Sequence, residues 1–243
     1  MKRWIFGLVA ILALSMTSCL EMMEEITLNR DGSGIYELKF DMSALFSDPF
    51  MAGMMAEAMQ EEGADEIEID SMINMASNLS SDATAREREL ANRIEARLQM
   101  SQSKELGLMS IKFPFEKVSE INEFQQVFSK MNEGDGGGMS GLMGGGMTPN
   151  SSVFSLDGRT LTRSIPDMDV DLEDVLDDET MAMMKMMFAD ASWSTTYHLP
   201  GRVRNCDIEG AEVDGKTVVV SLPFLELIEE QPNMGGSITF RRR

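Results

Sequence analysis

Two thiols, one imidazole and a surplus of thioethers are the groups in this chain whose types and spacing could do chemistry. Cys19 closes the run Ser15-Met16-Thr17-Ser18-Cys19. Before that run come the cations Lys2 and Arg3 and then Trp4 to Leu14, eleven residues without a charge. An apolar run that short cannot span a bilayer, which takes roughly 20 apolar residues. Cations, an apolar stretch and small residues in that order read as a secretory signal. Cleavage before Cys19 would leave its thiol at the new N-terminus, beside the membrane. Cys206 is the other cysteine. Cys206 reads as a small buried apolar residue.

The thioethers are the compositional oddity, with 24 methionines in the chain. Met181, Met183, Met184, Met186 and Met187 crowd one helical stretch, and Met139, Met143 and Met147 recur every four residues among glycines. Thioethers are soft ligands suited to Cu(I), but methionine also fills irregular cores and adaptable grooves. Helical spacing favours the second role for the first group. The glycine-rich trio buries nothing and stands as the metal candidate. Asp167-Met-Asp169-Val-Asp171 opens like a calcium loop, yet its sixth position is Leu172 where the sharp turn needs Gly, and its twelfth is Asp178. An acidic helix start accounts for it as well.

Other matches are decoys. Gly210 to Thr217 satisfies G-x-x-x-x-G-K-[ST], but a phosphate loop works because a helix starts at its Lys. Here Val218-Val219-Val220 follows, which is strand, and Glu209, Glu212 and Asp214 would repel a triphosphate. A hairpin turn is the reading. His198 stands alone, opposite Trp193 and Tyr197 in a strand alternation, facing solvent. No G-x-S-x-G or H-E-x-x-H occurs, and Ser101-x-x-Lys104 lacks its S-D-N and K-T-G companions. Among 41 acidic residues no pair is singled out for acid–base work. No catalytic residue and no cofactor are assigned, and no enzyme is expected.

Met16-Thr17-Ser18-Cys19 resembles the lipobox of bacterial prolipoproteins, with Met16 where that class usually has Leu. The resemblance implies a mature chain that starts at a diacylglycerol-bearing Cys19, which could not pair with Cys206, so no disulfide is expected. Leu20, rather than the Asp of many inner-membrane lipoproteins, then favours the outer membrane, on its periplasmic face or the cell surface. Glu21, Glu24 and Glu25 resemble the acidic export tags of surface lipoproteins. The formal charge of −20, made more negative by losing Lys2 and Arg3, excludes nucleic acid as a partner. No nucleotide partner is expected either.

Around these residues the chain punctuates into hairpins and helices. A strand is expected from about Glu25 to Arg30, turning at Asp31-Gly32-Ser33-Gly34 into Ile35 to Phe40. A helix is expected from the Asp48 cap and Pro49 to Gly63, then an acidic solvated stretch over 60–71. A second helix is expected between Asp82 and Leu98, a strand pair from Arg97 to Ser101 and Leu106 to Phe115, and a helix from Val118 to Met131. Gly134 to Asn150 holds eight glycines within thirteen residues and reads as a linker. Beyond it come a hairpin (Ser152 to Leu156, Leu161 to Ile165), a helix from Asp171 to Phe188 and a strand from Trp193 to Leu199. Val203 to Ile208 and Lys216 to Leu222 are expected to flank an Asp214-Gly215 turn, with a last strand from Ser237 to Phe240. The Arg241-Arg242-Arg243 end is expected in solvent.

Leu38 to Leu45, Ile111 to Val118 and Val220 to Leu227 share one shape: a strand end, a Pro or Asp break, an apolar residue and a helical turn. Irregular spacing excludes a solenoid. The fold expected is α+β, an antiparallel sheet built from hairpins with helices packed on one face. Its parts are a signal peptide over 1–18, the lipidated cysteine and a short tether over 19–24, a first half over 25–132, a linker over 133–150 and a second half over 151–243. Glu25 to Phe40, Leu106 to Met131 and Tyr197 to Phe240 resemble uncharacterised outer-membrane lipoproteins of the Bacteroidota and, more distantly, the LppM-like lipoprotein domain. These motifs are structural and carry no catalytic residue across. The function expected is a non-catalytic binding or assembly module held at the outer membrane by its lipid, with an envelope protein or apolar ligand as partner. The alternatives are a carrier of a lipid or other apolar ligand in a Met-rich pocket, and Cu(I) buffering through the Met clusters.

Overall fold

A computed structural model describes residues 20–47, 53, 68–132, 152–165, 185, 188–229 and 234–241. Alternation of apolar and polar residues dictates its first hairpin. Glu21–Leu28 forms β1 and Gly34–Asp41 forms β2, with Met22, Ile26 and Leu28 on the same side as Tyr36, Leu38 and Phe40. Gly32 takes φ +92°, the left-handed region that glycine enters without a Cβ clash. Asp31 fixes the turn by accepting from the Ser33 N–H at 3.1 Å and the Ser33 hydroxyl at 2.7 Å.

The chain then runs through a short helix α1 (Ala44–Ser47), strand β3 (Glu68–Ile73) and helix α2 (Ala85–Asn92). Thr84 starts α2 with a reciprocal capping box: its hydroxyl accepts from the Glu87 N–H while Glu87 accepts from the Thr84 backbone. β4 (Glu95–Ser101), β5 (Leu106–Phe115) and helix α3 (Ser119–Asn132) follow. The second half contributes β6 (Val153–Asp157), β7 (Thr160–Ser164), β8 (Ser192–His198), β9 (Val203–Cys206), β10 (Glu212–Asp214) and β11 (Thr217–Pro223). Helix α4 (Phe224–Glu229) and β12 (Gly236–Phe240) complete it.

These strands make two sheets. One has eight strands in the order β10-β11-β8-β1-β2-β5-β4-β3, and the other has four in the order β6-β7-β12-β9. The fold is α+β and mostly antiparallel, as the alternation implies. One pairing corrects the expectation of a purely antiparallel sheet: β1 and β8 run parallel, Glu24 opposite Thr195. A pattern within one strand carries no information about the direction of a neighbour from far along the chain.

Both sheets feed one hydrophobic core, in which Met22, Ile26 and Val218 of the large sheet join Phe154, Leu161 and Ile238 of the small one. Phe124 of α3 stacks on Phe113 of β5 with ring centroids 4.8 Å apart and meets Tyr36 at 5.5 Å. Helix and second sheet therefore divide the covering of the core between them.

Several boundaries move. The first strand starts at Glu21, not near Glu25, so the stretch expected to be a tether is already sheet. The acidic stretch over 60–71 runs into β3 at Glu68, an exposed strand at the sheet edge. The helix expected to reach Leu98 stops at Asn92, because Ala96, Leu98 and Met100 alternate as strand. β9 does not flank the Asp214-Gly215 turn. β10 does, pairing with β11, while β9 pairs with β12 in the small sheet. The shared strand-to-helix shape holds at all three places, as β2 into α1, β5 into α3 and β11 into α4. The helices expected over 48–63 and 171–188 and the linker over 133–150 lie outside the described residues, apart from Gly53, Lys185 and Phe188.

Arg241 is exposed, in line with the expectation of a solvated arginine, while its backbone is held. Arg241 donates its N–H to the Arg202 carbonyl at 2.8 Å. A Cβ on Gly201 would stand 1.4 Å from the Arg241 carbonyl oxygen, so only glycine admits this approach.

Candidate functional site

Of the residues singled out from the sequence, Cys19 and the methionines 139, 143 and 147 lie outside the described residues, as do the acidic run 167–171 and Met181, Met183, Met184, Met186 and Met187. Met22, Met42, Met75, Met100, Met131 and Met234 are described and buried, filling the core. The phosphate-loop match is a hairpin turn: Gly215 takes φ +59° between β10 and β11, and a strand begins at Thr217. Ser101-x-x-Lys104 is a turn, in which the Ser101 hydroxyl donates to Glu68 at 2.6 Å and accepts from the Lys104 N–H at 3.2 Å. His198 is half-buried on the outer face of β8, and Cys206 is a half-buried free thiol. Among the described residues no group of three or more His, Cys, Asp and Glu side chains is placed to hold a metal ion. No described helix is long and apolar enough to cross a membrane.

Two features stand out instead, and both lie on β1. The first is its start. Leu20 is already buried, and its carbonyl accepts from the Ser192 N–H at 3.0 Å, so pairing with β8 begins at the residue after Cys19. β1 lies between β8 and β2, inside the sheet. The position read as the lipid attachment therefore leads into the core with no intervening spacer.

The second is a buried polar cluster five residues further on. Glu24 has the inward parity of Met22 and Ile26 and is 0 % exposed. Its Oε2 accepts from Arg163 Nη1 at 2.7 Å and from the Thr195 hydroxyl at 2.8 Å, and its Oε1 accepts from the Tyr36 hydroxyl at 2.7 Å. Arg163, 2 % exposed on β7, donates Nε to the Ser152 hydroxyl at 3.0 Å and Nη1 to the Tyr197 hydroxyl at 3.3 Å. Its guanidinium lies 5.3 Å from the Phe154 ring centre, and Trp193 Nε1 donates to Thr195 at 3.2 Å. Nη2 of Arg163 is the one buried side-chain donor among the described residues with no hydrogen-bond partner.

Electrostatics follow from this sealing. Burial is the largest influence on Arg163 and opposes its charge, but the Glu24 carboxylate together with the Tyr197 and Tyr36 hydroxyls outweighs it and holds the proton more firmly than usual. Burial, reinforced by the Glu24 charge, pushes the Tyr36 phenol well above its ordinary range. Burial also raises Tyr197, with Arg163 opposing. The cluster joins β1, β2 and β8 of the large sheet to β7 of the small one. Chemically it can lock the two sheets in one registry. Reading Glu24 as part of an exposed acidic tag is thus corrected: its parity turns it inward. The sequence carried the signal as two opposite charges at inward positions, Glu24 after Met22 and Arg163 after Leu161. Starting the strand at Glu25 hid it.

The described architecture defines an α+β domain with an eight-stranded and a four-stranded sheet over a shared core. No family model matches the chain, and no curated protein matches it. Among solved structures the folded domain of the LppM protein of Mycobacterium tuberculosis is similar, with a TM-score of 0.44 and 11 % identity over 92 % of this chain and 90 % of that one.

Proposed function

We propose that this chain is a non-catalytic lipoprotein of the cell envelope, held at the outer membrane by diacylglycerol on Cys19 and serving as a binding or assembly module. The observation that carries the reading is the meeting of two signals at one point. A charged, apolar and small-residue leader ends at Cys19, and the folded domain begins at the next residue, with Leu20 buried and β1 under way at Glu21. A leader retained on such a domain would hang from the middle of its sheet. Cleaved and acylated at Cys19, the same strand becomes the domain's mount.

The polar groups brought together in the core support a structural role, because Glu24, Thr195 and Arg163 are closed to any substrate. Intact-mass analysis of protein extracted from membranes tests the reading. The expected mass is that of a chain starting at Cys19 plus diacylglycerol, with or without a further N-acyl group. The Cys19→Ser variant is expected to leave the membrane fraction. An unacylated wild-type chain, or a serine variant that stays with the membrane, overturns the proposal.

A further inference from the structure

We infer that the domain stands on the bilayer end-on, with the sheet end formed by Pro223, Ser192, Glu21, Asp41 and Ser101 facing a zwitterionic head-group layer. This rests on the reading of Cys19 as the lipid-bearing residue. One peptide unit, with a reach of ~3.8 Å between Cα atoms, is all that joins Cys19 to Leu20 in the sequence. Leu20 is itself fixed by its buried side chain and by the Ser192 N–H. No spacer therefore remains to let the domain tumble away from its lipid. Because β1 is an interior strand, its start lies part-way along the sheet end and not at a corner.

Strand register says what else lies at that end. Glu21 pairs with Asp41 and with Ser192, Ser192 with Pro223, and Asp41 with Leu108. Ser101 pairs with Leu106, so the turn 102–105 lies there too, as do the residues before Ser192 and the start of α4. The opposite end carries the 29–33 turn and the residues after Phe115. Charge selects the lipid. Among the described residues Glu21, Asp41, Glu68 and Glu105 gather at the near end against Lys104. Such an acidic surface is repelled by anionic head groups.

Energy transfer to head-group-labelled lipid tests this in the full acylated lipoprotein reconstituted into phosphatidylcholine vesicles. Single reporters are placed by Gln102→Cys at the near end and Lys117→Cys at the far end, in a Cys206→Ser background. β5, ten residues long, separates the two, which at ~3.3 Å per residue is ~33 Å. Strong quenching of the near reporter and weak quenching of the far one are expected. Phosphatidylglycerol in the vesicles is expected to weaken the near signal. Amide exchange on the unsubstituted lipoprotein gives the same answer without labels: vesicles should protect 102–105 and 188–191 and leave 29–33 unchanged. Equal quenching at both ends in a protein whose mass confirms the lipid overturns the orientation and leaves the anchor standing. A near signal unweakened by phosphatidylglycerol overturns the choice of lipid. A mass without lipid overturns anchor and orientation together.

Discussion

Two ion-pair networks in this molecule use the same chemistry in opposite surroundings. Glu24 and Arg163 meet inside the core with side chains 0 % and 1 % exposed and tie one sheet to the other. Glu120 of α3 collects Arg86 and Arg93 from around α2, at 2.9 and 2.8 Å, but both arginines keep contact with water, at 41 % and 22 % exposure. Distances barely differ between the two. Solvation does. A charge that stays wet loses little when its partner goes, whereas a charge sealed in the core is stranded. The core network is therefore an all-or-none lock, and the surface network is a graded brace.

The sharpest way to break that contrast is to strand the core arginine. Glu24→Ala leaves the Arg163 charge buried and takes an acceptor from Tyr36 and Thr195. It is expected to cost about 3–5 kcal/mol of unfolding free energy, read by urea denaturation in a Cys19→Ser background. In a domain of this size that lowers Tm by roughly 10 °C. A loss no greater than that of a surface pair would sink the idea of a lock. Removing both charges should hurt far less. Glu24→Leu with Arg163→Met strands no charge and relieves the unpartnered Nη2, leaving only neutral hydroxyls such as those of Tyr36 and Thr195 short of a partner. The double variant is expected within about 1–2 kcal/mol of the parent, well short of the summed single losses.

Tyrosine absorbance reads the same cluster without substitution, because the chain has two tyrosines and both lie in it. Their phenols are raised in the fold by burial. The unfolded chain, with ordinary phenols near pH 10, releases those protons first. The stability they contribute is thus complete below about pH 10 and lost as pH rises toward the folded values. Phenolate absorbance should appear together with alkaline unfolding. A smooth titration of either tyrosine near pH 10 in a protein still folded by far-UV dichroism contradicts the sealing.

The difference between the networks also explains what the sequence let through. Alternation and turn chemistry mark β1, β2, β5 to β8 and α3, because Gly32 and Gly158 and the apolar stripe of Ile121, Phe124 and Phe128 act within a few residues. The parallel pairing of β1 with β8 and the split of β9 from β11 depend on contacts far apart in the chain, which no local period encodes. Glu24 shows the same limit at one residue. In Glu21-Met22-Met23-Glu24-Glu25 the acids read as one solvated group, and only the register of a strand already begun at Glu21 separates the inward Glu24 from the outward Glu25. Its partner lies 139 residues away on β7. The anchor proposed at Cys19 needs no such distant contact, since the cations, apolar run and cysteine that suggest it are contiguous.

On the brace, Glu120→Gln is expected to cost about 1–2 kcal/mol, since the amide still accepts from the Glu116 N–H that now meets the carboxylate at 2.8 Å. Hydrogen bonding to Arg93, with Arg86 and the Glu116 N–H adding to it, holds the Glu120 carboxyl down at about 2. Its unfolded value is near 4.3. A lowered carboxyl contributes stability that is complete above the unfolded value and is lost as pH falls through the folded one. Acid melting curves of parent and variant should thus converge from about pH 4 down to about pH 2. A gap that persists below that window means the effect is not electrostatic.

The smallest effect is expected at the sheet edge. Arg97 of β4 holds Asp70 of β3 with two contacts of 2.9 and 2.8 Å, better geometry than most of the brace. If geometry set the value of an ion pair, Arg97→Ala would rival Glu120→Gln. Yet Arg97 and Asp70 are 48 % and 56 % exposed, and water with salt screens a pair on an edge strand from both sides. No measurable change in the denaturation midpoint is expected at physiological ionic strength. A small loss at low salt should vanish as salt is added. A loss from Arg97→Ala that matches the brace and survives high salt would mean that contact geometry, and not access to water, separates the core lock from the surface pairs.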